Sequence, residues 1–322
     1  MQVFSLVIQQ MLMMFTLMLI GFFLRKMKVF PEKTDISLSK LETFIFVPAL
    51  NLVNMLKNCN IKNFLENYYL MFYGLGIVLV AIAISYPLSK LFVRNYKENS
   101  SFAYKRNIYK YAITFGNYGY LGNFLVLGLW GEEVFFKYTM FTFLISLLCA
   151  AWGIYILVPK STDAKILTNL RKGLITPPTV ALIVGIIGGL LNVSCYLPSF
   201  LVTALDNASK CMGPGAMILA GIVIGGFEFK SMLTDKKIYI MSFIRLFVIP
   251  SFFIVALKMI GATSEVIAFT LVAFASPLGM NTIVYPAAYG GETQTGASMT
   301  MISHVLSIVS IPLMFMIFNI AI

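Results

Sequence analysis

Charged side chains are scarce in this sequence: 24 Lys and Arg with 13 Asp and Glu make up 11% of 322 residues, where soluble domains carry about 25%. A water-exposed surface cannot be built from so few, which excludes a soluble enzyme, a nucleic-acid binder or a disordered regulator as a reading of the whole chain. Histidine is limited to His304, so a histidine-based zinc or iron site lacks partners. The four cysteines, Cys59, Cys149, Cys195 and Cys211, show no CxxC spacing and read as small apolar or incidental loop thiols, not as a metal site or disulfide framework. No phosphate-binding P-loop pattern is present, and neither is G-x-S-x-G, H-E-x-x-H or a pair of intramembrane aspartates. No cofactor, no metal and no enzymatic role are expected.

What the chain has instead is apolar bulk, 59% hydrophobic with a mean hydropathy of +0.86, so lipid is its main solvent. A helix needs about 20 apolar residues to cross the hydrocarbon layer. Such runs place ten expected spans at 4–24, 37–56, 68–92, 108–130, 135–158, 177–193, 200–227, 237–259, 264–288 and 296–320. The first run has no basic leader and no clear small-residue cleavage site, and its charges follow it, so it reads as a mature helix and not a signal peptide. Seventeen Lys and Arg fall in the loops after spans 1, 3, 5 and 7, and five on the other side, with Lys40 and Arg245 inside spans. Positive residues stay cytoplasmic, which predicts a multi-pass cell-membrane protein with odd-numbered loops in the cytoplasm and both termini outside.

Gly and Pro recur in order across the two halves. Gly21, Pro48, Pro87 and Gly119 in spans 1–4 are answered by Gly188, Pro214, Pro250 and Gly279 in spans 6–9, at offsets of 160 to 167 residues. Gly131-Glu132 and Gly291-Glu292 follow Gly119 and Gly279 at the same distance. A ten-helix bundle with coincidental Gly and Pro is the alternative, but an ordered series favours an internal repeat. The expected units are 1–159 and 177–322, joined by a short cytoplasmic linker at 160–176. Five spans per unit is an odd number, so the second unit enters from the opposite face. Inverted repeats of this kind build secondary transporters, with the site at the repeat interface near mid-membrane.

Spans 4 and 9 are poor material for unbroken helices. Span 4 reads Gly116-Asn117-Tyr118-Gly119-Tyr120-Leu121-Gly122-Asn123, and span 9 carries Pro277, Gly279, Asn281, Thr282 and Pro286. Gly lowers helix stability by about 1 kcal/mol relative to Ala, and Pro removes a backbone donor. Such interruptions persist at membrane depth only where protein or a polar cavity surrounds them. Two broken helices crossing there leave free N–H groups and positive helix ends, which suit an anion such as a carboxylate. Asn117 and Asn281 add amide donors; the competing role for these residues is close helix packing and interhelical hydrogen bonding.

These residues resemble the auxin efflux carrier family, which includes bacterial carriers and the plant PIN-formed auxin transporters. The resemblance covers essentially the whole chain. It is carried by Val47-Pro48-Ala49-Leu50, by Asn117-Tyr118-Gly119-Tyr120-Leu121-Gly122, by Arg245 five residues before Pro250, by Pro277 through Asn281, and by Tyr289-Gly290-Gly291. It implies an all-α membrane fold like that of sodium/proton antiporters, with spans 1, 2, 6 and 7 as scaffold and homodimer surface. Spans 3–5 and 8–10 would form the transport domain, with spans 4 and 9 crossing. The family's proline in span 4 falls at Phe124 here, and the second proline of plant members' span 9 falls at Thr282. The span 4 break is therefore expected to rest on Gly119, Gly122 and Asn123.

The substrate-binding set expected from these readings is Asn117, Tyr118, Gly119, Gly122, Asn123, Pro277, Gly279, Asn281 and Thr282. Charges inside a bilayer are costly and point to function, which makes Glu42, Asp206, Arg245 and His304 candidates for a coupling or support role. Each has a plainer reading: interfacial snorkelling for Glu42 and Asp206, a structural ion pair or helix-end contact for Arg245, hydrogen-bonded packing for His304. Glu132 and Glu292 read as solvated caps. The function expected is secondary transport of a small organic anion, auxin-like or a dicarboxylate, by alternating access. The alternative is a membrane-embedded ligand sensor with a transporter-like fold.

Overall fold

The computed structural model describes residues 2–31, 33–159, 174–227, 233–288 and 290–320, and every element assigned within them is helical. Most of the expected linker, with Lys160, Lys165, Arg171 and Lys172, lies outside the described residues, as do Lys230 and Tyr289. In chain order the helices are α1 (Gln2–Lys26), α2 (Thr34–Leu41), α3 (Val47–Asn58), α4 (Ile61–Asn67), α5 (Tyr69–Phe92), α6 (Ser100–Thr114), α7 (Asn123–Leu148) and α8 (Ile154–Leu157). There follow α9 (Pro177–Leu190), α10 (Ser199–Gly225), α11 (Lys236–Phe243), α12 (Ile249–Met259), α13 (Ser264–Ala275), α14 (Asn281–Ala288) and α15 (Gln294–Phe318). Among the described residues seven helical stretches are long and apolar enough to cross a membrane, and α9 and α13 are shorter apolar helices. One of the seven, Ser100–Leu157, runs through 58 residues but is interrupted at Phe115–Asn117 and again at Gly131, whose φ of +79° is a left-handed conformation that glycine adopts at little cost.

Local chemistry sets the ends. Asn60, Asn99 and Asp235 accept from the backbone N–H of Asn63, Ser101 and Lys237 at 2.8–2.9 Å, capping α4, α6 and α11. α1 closes on Arg25 and Lys26, the sign its C-terminal dipole favours. Two π-helical turns, Glu42–Phe46 and Ile244–Val248, each come just before a proline, Pro48 and Pro250, at the second position of the next helix. A proline leaves the carbonyl four residues earlier without its usual donor; here those carbonyls belong to Phe44 and Leu246, inside the wider turns.

The helices pack as two groups in contact with each other, α1 of the first also lying on α7 and α15 of the second. α1 lies on α10, and α3 on α9 and α10. The approach is close because small residues face the contact: a Cβ on Gly21 would meet the Ile218 carbonyl, one on Gly221 the Met18 carbonyl, and one on Gly189 the carbonyls of Met55 and Cys59. In the second group α5 packs on α6 and α7, α12 on α13, and α15 on α11 and α13, around buried aromatics such as Tyr138, Phe141 and Phe269. Gly221→Val is expected to force α1 and α10 apart and to cost about 1–3 kcal/mol, read as a fall of several degrees in the melting temperature in detergent. Gly76→Val, at a site with nothing within 4 Å, is the control and should melt close to wild type.

Candidate functional site

The two interruptions anticipated in spans 4 and 9 are present and touch each other. α6 ends at Thr114, Phe115 is extended, and a π turn over Tyr118–Gly122 leads into α7. α13 ends at Ala275, with Ser276 extended as the residue before a proline must be, and α14 begins at Asn281. Between them the Asn117 N–H donates to the Pro277 carbonyl at 2.7 Å. The break in span 4 is thus placed differently from the expectation: it occupies Phe115–Asn117, while Gly122 closes the π turn and Asn123 is already helical. Gly116 is the residue that permits it, because a Cβ there would collide with the Arg245 guanidinium and the Ser276 carbonyl. Phe124, where the family's proline was expected, packs its ring on Gly213 of α10.

Arg245 lies beneath the crossing and is 2% exposed. It donates to the Ile113 carbonyl at 3.0 Å from one nitrogen and to the carbonyls of Ala273 and Ser276 at 3.3 Å from the other two. Its partners are therefore the C-terminal ends of α6 and α13, each worth about half a negative charge. Two such ends offset one guanidinium, so the cation needs no carboxylate.

α15 braces the breaks from another side. The Leu278 N–H donates to Ser303 Oγ at 3.0 Å. His304 Nδ1 is 2.7 Å from the Thr300 carbonyl, and its Nε2 is 3.4 Å from Asn117 Nδ2. A neutral imidazole with the proton on Nδ1 satisfies both contacts. Asn281 donates to the Tyr111 hydroxyl at 2.7 Å, which in turn lies 3.1 Å from Cys149 Sγ.

With the C-terminal ends turned to Arg245, the first turns that follow the breaks face a cavity of about 400 Å³. Asn117, Tyr118, Gly119, Asn123, Gly279 and Asn281 line it. The remaining three of the expected set stand behind that wall. Gly122 packs on the Tyr138 hydroxyl, Thr282 is buried against Gly296, and Pro277 contributes its carbonyl to the crossing. The rest of the lining had not been anticipated: Ser39, Thr43, Val47 and Asn51 of the α2–α3 stretch, and Thr139, Thr142, Ser146 and Cys149 of α7 and the turn after it. Their spacings of three and four residues form polar stripes on one helix face, a pattern visible in the sequence once the helices are drawn. Among the described residues that line the cavity none carries a charge.

The other charged candidates separate. Asp206 does not reach the cavity; it pairs with Lys57 at 2.9 Å and Lys210 at 2.7 Å, and Lys57 also meets Glu132 at 3.4 Å. Glu132 is therefore an ion-pair partner as well as a helix-end residue, whereas Glu292 caps α15 by accepting from the Thr295 N–H at 2.6 Å. Glu42 is fully buried and does not snorkel, while Lys40, two residues earlier, points outward.

Comparison with known proteins identifies the family. No curated protein sequence matches the chain. The family model described as "Membrane transport protein" matches residues 6–169 and 159–315, essentially the whole length. By that match the chain is a multi-pass membrane protein of the membrane transport protein family, the family that includes the auxin efflux carriers.

Proposed function

We propose that this protein is a secondary transporter that moves a small organic anion, of the carboxylate class, by alternating access. The observation that carries the proposal is the meeting of two interrupted helices at Asn117 and Pro277 on the wall of an uncharged polar cavity. Arg245 neutralises the C-terminal ends of α6 and α13, so the positive N-terminal ends of the following segments stay unbalanced and face the cavity. Two half-charges favour one negative group without a basic side chain. The volume, about 400 Å³, falls in the range of small-molecule sites.

Within this reading α1, α3, α9 and α10 form the scaffold and a homodimer surface, α5–α8 and α11–α15 move against it, and the chain crosses the membrane ten times as two inverted units. The cavity reaches Ser39, Thr176 and Tyr285, toward the end where Lys26 donates to the Phe227 carbonyl and Lys237 to that of Phe92. Those are the basic loops, so the cavity faces the cytoplasm. The far end is held shut between the two groups by Lys57 with Glu132 and by Asn54, which donates to Thr139 at 3.0 Å.

Uptake of labelled malate and indole-3-acetate into liposomes holding the purified protein tests the proposal. Protein-dependent flux of either acid supports it; specific binding with no flux of any carboxylate overturns it in favour of a sensor. Lys57→Met tests the closed end. A part-exposed ion pair is worth up to about 1 kcal/mol, so an impermeant thiol reagent added from that side should reach Cys149 faster by no more than about fivefold, measured with Cys59→Ala, Cys195→Ser and Cys211→Ser in place.

A further inference from the structure

Glu42 has a role that neither the crossing nor its supports account for. Its side chain is 0% exposed, and neither carboxyl oxygen has a hydrogen-bond partner among the described residues. It occupies the π turn Glu42–Phe46, a geometry frequent at functional sites. It is turned toward α10, where a Cβ on Gly215 would meet its Oε1. The titratable group that faces it is the phenol of Tyr120, in the π turn of the crossing. On α10 the ionisable Asp206 and Lys210 are paired with each other at 2.7 Å, more than a turn from Gly215, and Cys211 is exposed at the surface. α9 has no charged residue, and on α2 Lys40 points outward. Among the described residues no base reaches the acid. An unpaired carboxylate at such depth costs several kcal/mol, and the neutral acid costs much less.

The position of Glu42 links it to the anion site. The next residue, Thr43, lines the cavity, and so does Tyr120. An ionised Glu42 directly behind that wall would repel an anionic guest through a medium of low dielectric. We propose that Glu42 is a proton-binding site linked to substrate occupancy, so that one proton travels the cycle with the organic anion. The inference rests on the transport reading above. Linkage is reciprocal: the anion favours the protonated acid, and the proton favours the anion by the same factor. When the segment bearing Tyr120 moves away from the α2–α3 stretch, water reaches the carboxyl, the O–H bond breaks, and the proton leaves to water as the guest departs.

Two measurements test this. Infrared difference spectra of the protein in lipid, taken across a pH titration, should contain a protonated carboxylic C=O band that Glu42→Gln removes; its absence from wild type overturns the proposal whatever the transport result. In proteoliposomes, an imposed gradient of about one pH unit, in one of its two directions, should drive up to about tenfold accumulation of labelled malate if one proton is coupled. Glu42→Gln, which mimics the neutral acid, should keep malate exchange and lose the response to the gradient. A Glu42→Gln protein that still responds like wild type, or a wild type that carries malate with no response, overturns the proton site and leaves the transporter standing. Malate binding without flux in wild type overturns both.

Discussion

Arg245→Ala should be the most damaging single change in the chain, with protein that fails to accumulate in the membrane or melts more than about 10 °C below wild type. Three carbonyls on two different helices lose their donor at once, and each orphaned acceptor costs about 1–3 kcal/mol. The sum is comparable with the whole stability of an ordinary domain, about 5–15 kcal/mol. The loss falls where it cannot be absorbed, because the ends of α6 and α13 no longer have a cation between them and their dipoles repel. Arg245→Lys should be intermediate: the ammonium keeps the charge but lacks the planar fork that spans both helices. Arg245→Met separates the electrostatic account from simple cavity formation, since it restores most of the volume and none of the donors. If Arg245→Met melts like wild type, the guanidinium is not what holds the crossing together.

The same arrangement explains how much of the molecule could be read in advance. Helical spans were legible because apolar runs of 20 residues have few other uses, and Pro277 announced its break because a proline forces the preceding residue out of the helix. The break in span 4 was legible only as a region. Gly119, Gly122 and Asn123 were expected to carry it, yet it lies at Phe115–Asn117, because the deciding constraint is tertiary. Gly116 must be bare where Arg245 and Ser276 approach, and nothing in the local sequence states that. Arg245 was visible as a costly charge, but its partners are carbonyls, which have no letter in the sequence. Asp206 looked like Glu42 as a string, and only packing separates an acid beside Lys57 and Lys210 from one with no partner. The polar stripe Ser39, Thr43 and Asn51 stands at four- and eight-residue spacings but is diluted by the apolar content of span 2.

Asn281→Asp should abolish carboxylate uptake, and Asn281→Ala should reduce it by about 10- to 100-fold while the protein folds. An amide nitrogen has two N–H donors. That of Asn281 donates to the Tyr111 hydroxyl and, at 3.7 Å, to Cys149 Sγ, and that of Asn117 spends one donor on His304. Asn117 keeps its second donor for the cavity both residues line, and Asn281 supplies one by giving up its weak bond to the sulfur. A hydrogen bond to a charged group is worth about 1.5–3 kcal/mol, and each 1.4 kcal/mol is about a factor of ten in affinity, which sets the size of the alanine effect; Asn117→Ala should fall in the same range. The aspartate goes further because it replaces a donor with a negative charge, yet Tyr111 can donate to it, so the fold survives. The rank order wild type, alanine, aspartate in malate uptake is the signature of an anion site. A cation or a neutral guest would reverse or flatten it, and an Asn281→Asp protein that carries malate as well as the alanine variant would show that the exposed helix ends do not serve a negative group.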